Sequence, residues 1–282
     1  MVMKGRKYWS QEGTIERILP SNLDQTRIPV NTILLVTGIL VVWQGISLFY
    51  ASHQFPNILE LGAALMEVFD GSGMYTFTGS VPITIARIIL SVVFAMLIGV
   101  PFGIAMGLYT TFEDFLLFYL LIFLAIPAIM WAFLGVIWFG LSAYLVPVLA
   151  GMLTLLPYVI VNTWKGTQDV DADLLEMTTV FGLSTIAVWR HVLIPHLLPY
   201  LFSTSRMVFA IGWRVMLIIE VFGAGSGLGY VINAMFQAQR NDLLLAWAIP
   251  VIAVIVILER LLKRYEDRAF DWRDDNGLEV TR

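Results

Sequence analysis

Long apolar runs separated by short polar stretches organise this sequence. They cover residues 29–51, 82–109, about 115–139, 144–164, about 201–222 and 243–262. Each is close to or above the roughly 20 residues that an α-helix needs to cross a hydrocarbon core. The pattern predicts an all-α membrane protein with about six transmembrane helices. Between the first two runs, residues 56–69 place Ile58, Leu61, Leu65 and Phe69 on one helical face, with Asn57, Glu60 and Glu67 elsewhere. That helix, with Pro56 at its first turn, either lies at the interface or packs on neighbouring spans. Gly99, Pro101, Gly103 and Gly107 interrupt the second run, and small residues at that density let helices approach closely in lipid. Pro127, Pro147 and Pro157 fall inside the third and fourth runs, where neighbours or water must satisfy the freed carbonyls. Trp43 and Tyr50 are candidate interface anchors.

The stretch 174–195 departs from this pattern, mixing charge, small residues and apolar residues at helical spacing. Leu174, Met177 and Phe181 recur at about the helical period, as do Ile186, Trp189 and Val192. Asp171 and Asp173 suit a helix N-terminus, and Gly182 sits where that helix should stop. Ser184 can cap a second short helix, and Pro195 lies where that helix is expected to end. The prediction is two short helices joined at Gly182.

Composition narrows the class. The chain has 282 residues, 59% hydrophobic and 13% charged. Soluble domains carry about twice that charged fraction. A net charge of −4 gives no nucleic-acid signal, and the absence of cysteine excludes disulfides, thiolate metal sites and cysteine nucleophiles. The first apolar run begins only at Pro29, so a cleavable signal is not expected. Lys and Arg fall on one side. With both termini inside, the cytoplasm receives Lys4, Arg6, Lys7, Arg17 and Arg27, then Lys165, Arg190 and Arg206. It also receives every basic residue from Arg260 onward, leaving only Arg240 outside. The positive-inside bias thus places 165–200 in the cytoplasm, in a multi-pass protein with both termini cytoplasmic.

Charges within apolar runs are costly and either pair or line a cavity. Arg87, Arg214 and Glu220 are such residues. Arg214 and Glu220, six positions apart, do not share a helix face, so Glu220 is matched by Arg87 or by another span. Alternatively these residues line a solute path, where the two guanidiniums would suit an anion. His191 and His196 flank Pro195 without metal-ligand geometry, and His53 stands alone. The run 223–229 reads as a flexible glycine loop. It is no phosphate loop, because no strand precedes it and no Lys-Ser/Thr follows. No nucleophile–base pair stands out, so no enzyme activity is expected.

The run Glu176-Met-Thr-x3-Gly182-x9-Val192-x-Ile194-Pro195 resembles the cytoplasmic Glu-Ala-Ala-x3-Gly-x9-Ile-x-Leu-Pro signature of membrane subunits of binding-protein-dependent ABC importers. Glu, Gly and Pro match, while Met177 and Thr178 replace the alanines and Val192 and Ile194 replace Ile and Leu. Arg87 ahead of Gly99-Val-Pro-Phe-Gly103 looks like the nitrate/sulfonate/taurine branch of that family. So do Ile126-Pro127 before Trp138-Phe-Gly140, and Trp213 to Glu220 before Gly227-Leu-Gly229. The similarity covers roughly 55–262. It implies a permease of the type I importer fold in a prokaryotic cell membrane, with a cytoplasmic tail at 1–28. A transmembrane domain at 29–264 would contain a coupling loop at 165–200, and a cytoplasmic tail would follow at 265–282. Two permease subunits, as a homodimer in the simplest case, would line the path. Two cytoplasmic ATPase subunits would hold ATP and Mg, this chain binding no cofactor. An extracytoplasmic protein would deliver a small anion such as nitrate, sulfonate, taurine or bicarbonate. Glu176, Gly182 and Pro195 would carry the coupling. The alternative is a secondary carrier driven by an ion gradient, which would want more embedded acids and two related halves.

Overall fold

A computed structural model describes residues 30–51, 54–70 and 75–269. The tail at 1–28, His53 and the residues after 269 lie outside the described residues. The described chain is helical: α1 (Val30–Ser47), α2 (Ile58–Asp70), α3 (Phe77–Leu108), α4 (Thr110–Ala125), α5 (Ala128–Phe139), α6 (Leu145–Gln168), α7 (Ala172–Val180), α8 (Thr185–Gly223), α9 (Leu228–Gln237) and α10 (Asn241–Ala269). The six apolar runs are realised unequally. α3, α6 and α10 are each long and apolar enough to cross a membrane, and the bent pairs α4–α5 and α8–α9 bring the number to five. The first run forms a shorter apolar helix over Thr32–Ser47.

The α3–α6 pair is the spine of the bundle. Gly99, Gly103 and Gly107 stand four residues apart on α3 and face Val159, Thr163 and Thr167, also four apart, on α6. A Cβ on Gly103 would stand 2.6 Å from Thr163 Cβ and 2.7 Å from the Ile160 carbonyl oxygen. Close backbone approach replaces the hydrophobic drive that lipid does not supply between apolar helices. α8 packs directly on α6, and α5 packs against both, through buried Ala132, Ala150 and Ile219. A second core joins Ala64 and Val68 of α2, Val81 and Ile88 of α3, Trp213 and Met216 of α8, Leu228 of α9, and Trp247 of α10.

For 56–69 the structure shows packing on a neighbouring span. α2 lies on α10, with Ala64 and Val68 buried and Leu61 and Leu65 of the expected face packed half-buried beside them, while Phe69 is exposed. Its start is a reciprocal cap. The Glu60 N–H donates to Asn57 Oδ1 at 2.8 Å, and the Asn57 N–H donates to Glu60 Oε2 at 3.0 Å. Trp43 Nε1 donates to the Pro56 carbonyl at 3.1 Å, tying α1 to the start of α2.

Two proline expectations are corrected. The run 115–139 is not one straight span, because α4 and α5 meet at 92° across Ile126-Pro127. Proline crowds the residue before it out of the helical region, and Ile126 adopts φ −76° and ψ 117°. Pro195, in contrast, ends nothing. α8 passes through it, because Trp189–Leu193 form a π-helical turn in which the Ile194 N–H donates to the Trp189 carbonyl five residues back. The wider turn relaxes the clash a proline ring makes with the preceding turn, and Pro195 then occupies a first-turn position of Ile194–Gly223.

Gly103→Val should therefore cost about 1–3 kcal/mol by overpacking α3 on α6. Gly62→Val, where open space surrounds the glycine, should change stability by less than about 0.5 kcal/mol. Thermal unfolding in detergent checks both, and equal midpoints for the two variants would contradict the packing argument.

Candidate functional site

Three features stand out along α8. They are the bend between α7 and its start, an exposed stripe along its length, and a buried polar cluster at its end.

The cluster concentrates hydrogen bonds between elements among the described residues. Thr84, Arg87, Ile88 and Ser91 recur on the buried face of α3, all fully inaccessible, and Glu220 of α8 is equally buried. Arg87 and Glu220 form an ion pair through Nη1 and Oε1 at 2.5 Å. Of the two matches left open for Glu220, the structure realises Arg87. Arg87 Nη1 also donates to the Ser226 carbonyl and Nη2 to Ser226 Oγ, both at 2.7 Å, and Nε donates to the Ala143 carbonyl at 2.7 Å. The Tyr144 ring centroid lies 5.5 Å from the guanidinium carbon. On the acidic side, the Thr84 hydroxyl lies 2.9 Å from both Glu220 oxygens and accepts from the Leu228 N–H at 2.9 Å. The Gly229 N–H donates to Glu220 Oε2 at 2.9 Å.

The run 223–229 is therefore not a flexible loop. Leu228 and Gly229 open α9, and their N–H groups converge on Thr84 and Glu220, so a carboxylate occupies the anion-favouring N-terminus of a helix. Gly227 has φ +99°, and a side chain there would run into Glu220 and Arg87; one on Gly229 would strike the Leu217 carbonyl and Glu220. Glycine is required here for close approach rather than mobility. Thr84 and Ser226 escaped sequence reasoning, while Gly227 and Gly229 were noted for their resemblance and as loop glycines but not for their place beside Glu220. Two signals were present: Thr84 shares the helical face of Arg87, and an alternating glycine motif follows an embedded acid.

Arg214 is left apart. It is exposed on α8 and makes no hydrogen bond or ion pair among the described residues. Phe202, Arg206, Ala210, Arg214, Ile218 and Phe222 follow at four-residue spacing, and all but the half-buried Ala210 are exposed. The stripe thus presents two guanidiniums two turns apart. Arg240 is engaged instead, by Asp242 at 2.8 Å and Glu67 at 3.2 Å. The hydrogen bonds it donates to the Asp242 carboxylate raise its pKa further above the ordinary arginine range.

The elbow at the start of α8 follows its local signals. Asp171 Oδ1 accepts from the Asp173 N–H at 2.9 Å ahead of α7. Gly182 has φ +61°, and the Leu183 N–H returns to the Thr178 carbonyl at 2.9 Å, a left-handed helix stop. Ser184 Oγ accepts from the Ala187 N–H at 3.4 Å. Glu176 is exposed, and so are the apolar Met177, Val180, Phe181 and Ile186 around the bend. A cleft of about 590 Å³, lined among others by Leu108, Tyr109, Gly182 and Trp189, separates the elbow from the α3–α4 corner. The His196 ring lies against Tyr200, with centroids 5.5 Å apart, and Tyr200 bonds Asp169 at 3.1 Å.

Residues 99–271 match the family of binding-protein-dependent transport system inner membrane components. The chain is 26% identical over 237 residues to a putative ABC transporter permease of Methanocaldococcus jannaschii, covering 83% of this chain and 88% of that one. It is 31% identical over 134 residues to a putative aliphatic sulfonates transport permease of Escherichia coli, covering 48% of each chain. With the taurine transport system permease of the same species it shares 28% identity over 193 residues, 68% of this chain and 70% of that one. Among solved structures, the fold resembles an inward-facing MetNI methionine ABC transporter with a TM-score of 0.56 at 20% identity, over 67% of this chain and 92% of that one. An amino acid ABC transporter with histidines gives 0.52 at 16% identity, over 75% and 96%.

Removing one member of a buried ion pair strands the other charge, so Arg87→Leu should destabilise by about 3–5 kcal/mol. In a double-mutant cycle with Glu220→Leu, the paired substitution should lose less than the sum of the single ones. Additive losses in denaturant titrations would show that the two side chains act independently.

Proposed function

Because the chain belongs to the binding-protein-dependent transport system inner membrane component family, we propose that it is the permease subunit of an ATP-driven importer for a small anion. In that reading two copies enclose the path, and two cytoplasmic ATPase subunits hold ATP and Mg. An extracytoplasmic binding protein supplies the solute. The transport permeases for aliphatic sulfonates and taurine among the relatives support a sulfonate-type anion, with nitrate and bicarbonate as smaller candidates. The chain would be a cell-membrane protein with both termini cytoplasmic, as its basic residues suggest.

One observation carries the reading: a single unbroken helix, α8, joins the exposed elbow to the unpaired Arg214. An unpaired guanidinium midway along a span is tolerated only where it faces water, a partner or a ligand. Across two copies, the stripe would line a shared path and Arg214 would meet the anion there. Arg87 and Glu220 satisfy each other and have no surface to offer a solute, so the path role falls to Arg214 alone. At the other end, Glu176 and the apolar residues around Gly182 would seat in a groove on the ATPase. Pro195 and its π-helical turn join that elbow to the span without a flexible break. A cleft lies between the elbow and the α3–α4 corner, and displacement of the elbow would pass into α8.

Two outcomes are expected in proteoliposomes containing permease, ATPases and binding protein, with taurine and nitrate as probes. Arg214→Gln should reduce anion uptake at least about tenfold, the scale of one charge-assisted hydrogen bond, while Arg214→Lys retains part of it. Normal uptake by Arg214→Gln would exclude the path role. Gly182→Val strains a left-handed position by about 1–3 kcal/mol. It should leave an assembled complex that hydrolyses ATP without importing. Uptake by this polypeptide alone, driven by an ion gradient, would instead identify a secondary carrier.

A further inference from the structure

The turn after α8 has the composition of a hinge and the bonding of a joint. Gly223, Gly225, Gly227 and Gly229 stand within seven residues, and α8 and α9 meet there at 53°. Left to the backbone, such a turn would let α9 swing freely. Bonds cross it instead on every side. Glu220 before the turn accepts from Gly229 after it, and Asn233 of α9 donates back to the Val221 carbonyl of α8 at 3.2 Å. Arg87 of α3 holds both the carbonyl and the hydroxyl of Ser226, and also the Ala143 carbonyl of the α5–α6 turn. Thr84 binds Leu228 and Glu220 together. The α5–α6 turn and the α8–α9 turn are thereby fastened to α3 through one dehydrated ion pair. Apolar side chains of similar volume stabilise a core equally well. What a fully bonded pair adds is direction, because each bond fixes an angle that packing alone leaves soft.

From this arrangement we propose that the cluster is a force-bearing joint, in which Thr84, Arg87, Glu220 and Ser226 are positioning residues that make α9 move as one body with α8. The proposal rests on the importer reading. α8 is about 58 Å long at 1.5 Å per residue, with the elbow at one end and the joint at the other. Work delivered at the elbow would then reach the face of the bundle that carries α9, where the solute-loaded binding protein would engage. Binding there would pass back to the ATPases along the same rod. Without the joint, the glycine turn would absorb the displacement.

The chain contains no cysteine, so two labels can be placed without altering any native thiol. Spin labels at Leu198→Cys on α8 and Phe236→Cys on α9, both exposed, report the distance across the joint in the assembled complex, with one labelled copy per complex. Unaltered protein should keep one narrow distance distribution with and without ATP–vanadate. Glu220→Gln and Thr84→Val should broaden it or make it depend on nucleotide. They should also lower the stimulation of ATP hydrolysis by taurine-loaded binding protein at least about fivefold, the lower bound of a typical coupling, with basal hydrolysis retained. A passive structural pair would lower thermal stability and leave the stimulation ratio alone. Full stimulation together with an unchanged distance in both variants overturns the proposal, and so does a nucleotide-dependent distance in the unaltered protein. If Glu220→Gln does not assemble, the same two readouts on Thr84→Val and Ser226→Ala decide. Failure of any binding protein to stimulate the unaltered complex would count against the importer reading instead, and the distance measurement would still test the joint.

Discussion

A guanidinium and a carboxylate can be buried together in an apolar bundle only if almost every one of their donors and acceptors is matched. That requirement organises one end of this molecule. Arg87 spends its Nε and both terminal nitrogens on Ala143, Ser226 and Glu220. Glu220 takes its remaining bonds from Thr84 and the first turn of α9. Because the partners come from four separate segments, satisfying the pair fixes those segments relative to one another. The glycines at 227 and 229 follow from the same demand, since backbone N–H groups must come close to the carboxylate and a Cβ would hold them off. A glycine run that looks mobile in isolation is thus the most constrained turn in the described chain.

Elsewhere the structure relies on shape rather than charge. The glycine row of α3 against the Val159–Thr163–Thr167 row of α6 sets the spine through backbone proximity, the means available where lipid competes equally for apolar side chains. The exposed surfaces are differentiated against that packed background. α8 turns a buried face to α6 and leaves a stripe with two arginines outward, while the elbow displays apolar residues around a capped bend. One helix therefore links surfaces with different chemistry, and its π-helical turn at Trp189–Leu193 keeps it unbroken where a proline would otherwise divide it.

Much of this was legible before any fold was known, because many of the signals are local. Apolar run length located the apolar helices, though not the break at Ile126-Pro127 or the shortness of the first one. Asp171, Gly182 and Ser184 marked the elbow correctly, since caps and left-handed stops act within three or four residues. Proline was less reliable. At 127 it broke a helix and at 195 it did not, and the difference lies in whether the preceding turn can widen, which nearest-neighbour sequence does not encode. The inward face of α2 was read correctly at Leu61 and Leu65 but not at Phe69. Ala64 and Val68 carry less apolar area than Phe69, yet they are the residues that α10 and its neighbours cover.

The sequence by itself determined that this chain lives in a bilayer, how often it turns polar, where its elbow bends, and that Arg87, Arg214 and Glu220 needed an explanation. Hydrophobicity, capping and charge cost are properties of short segments, so they can be read along a line. Only the tertiary structure decided which arginine Glu220 takes and which is left exposed. Positions 84, 87, 143, 220, 226 and 229 become neighbours only once α3, α6, α8 and α9 have packed, and the pairing of buried charges is settled by that proximity.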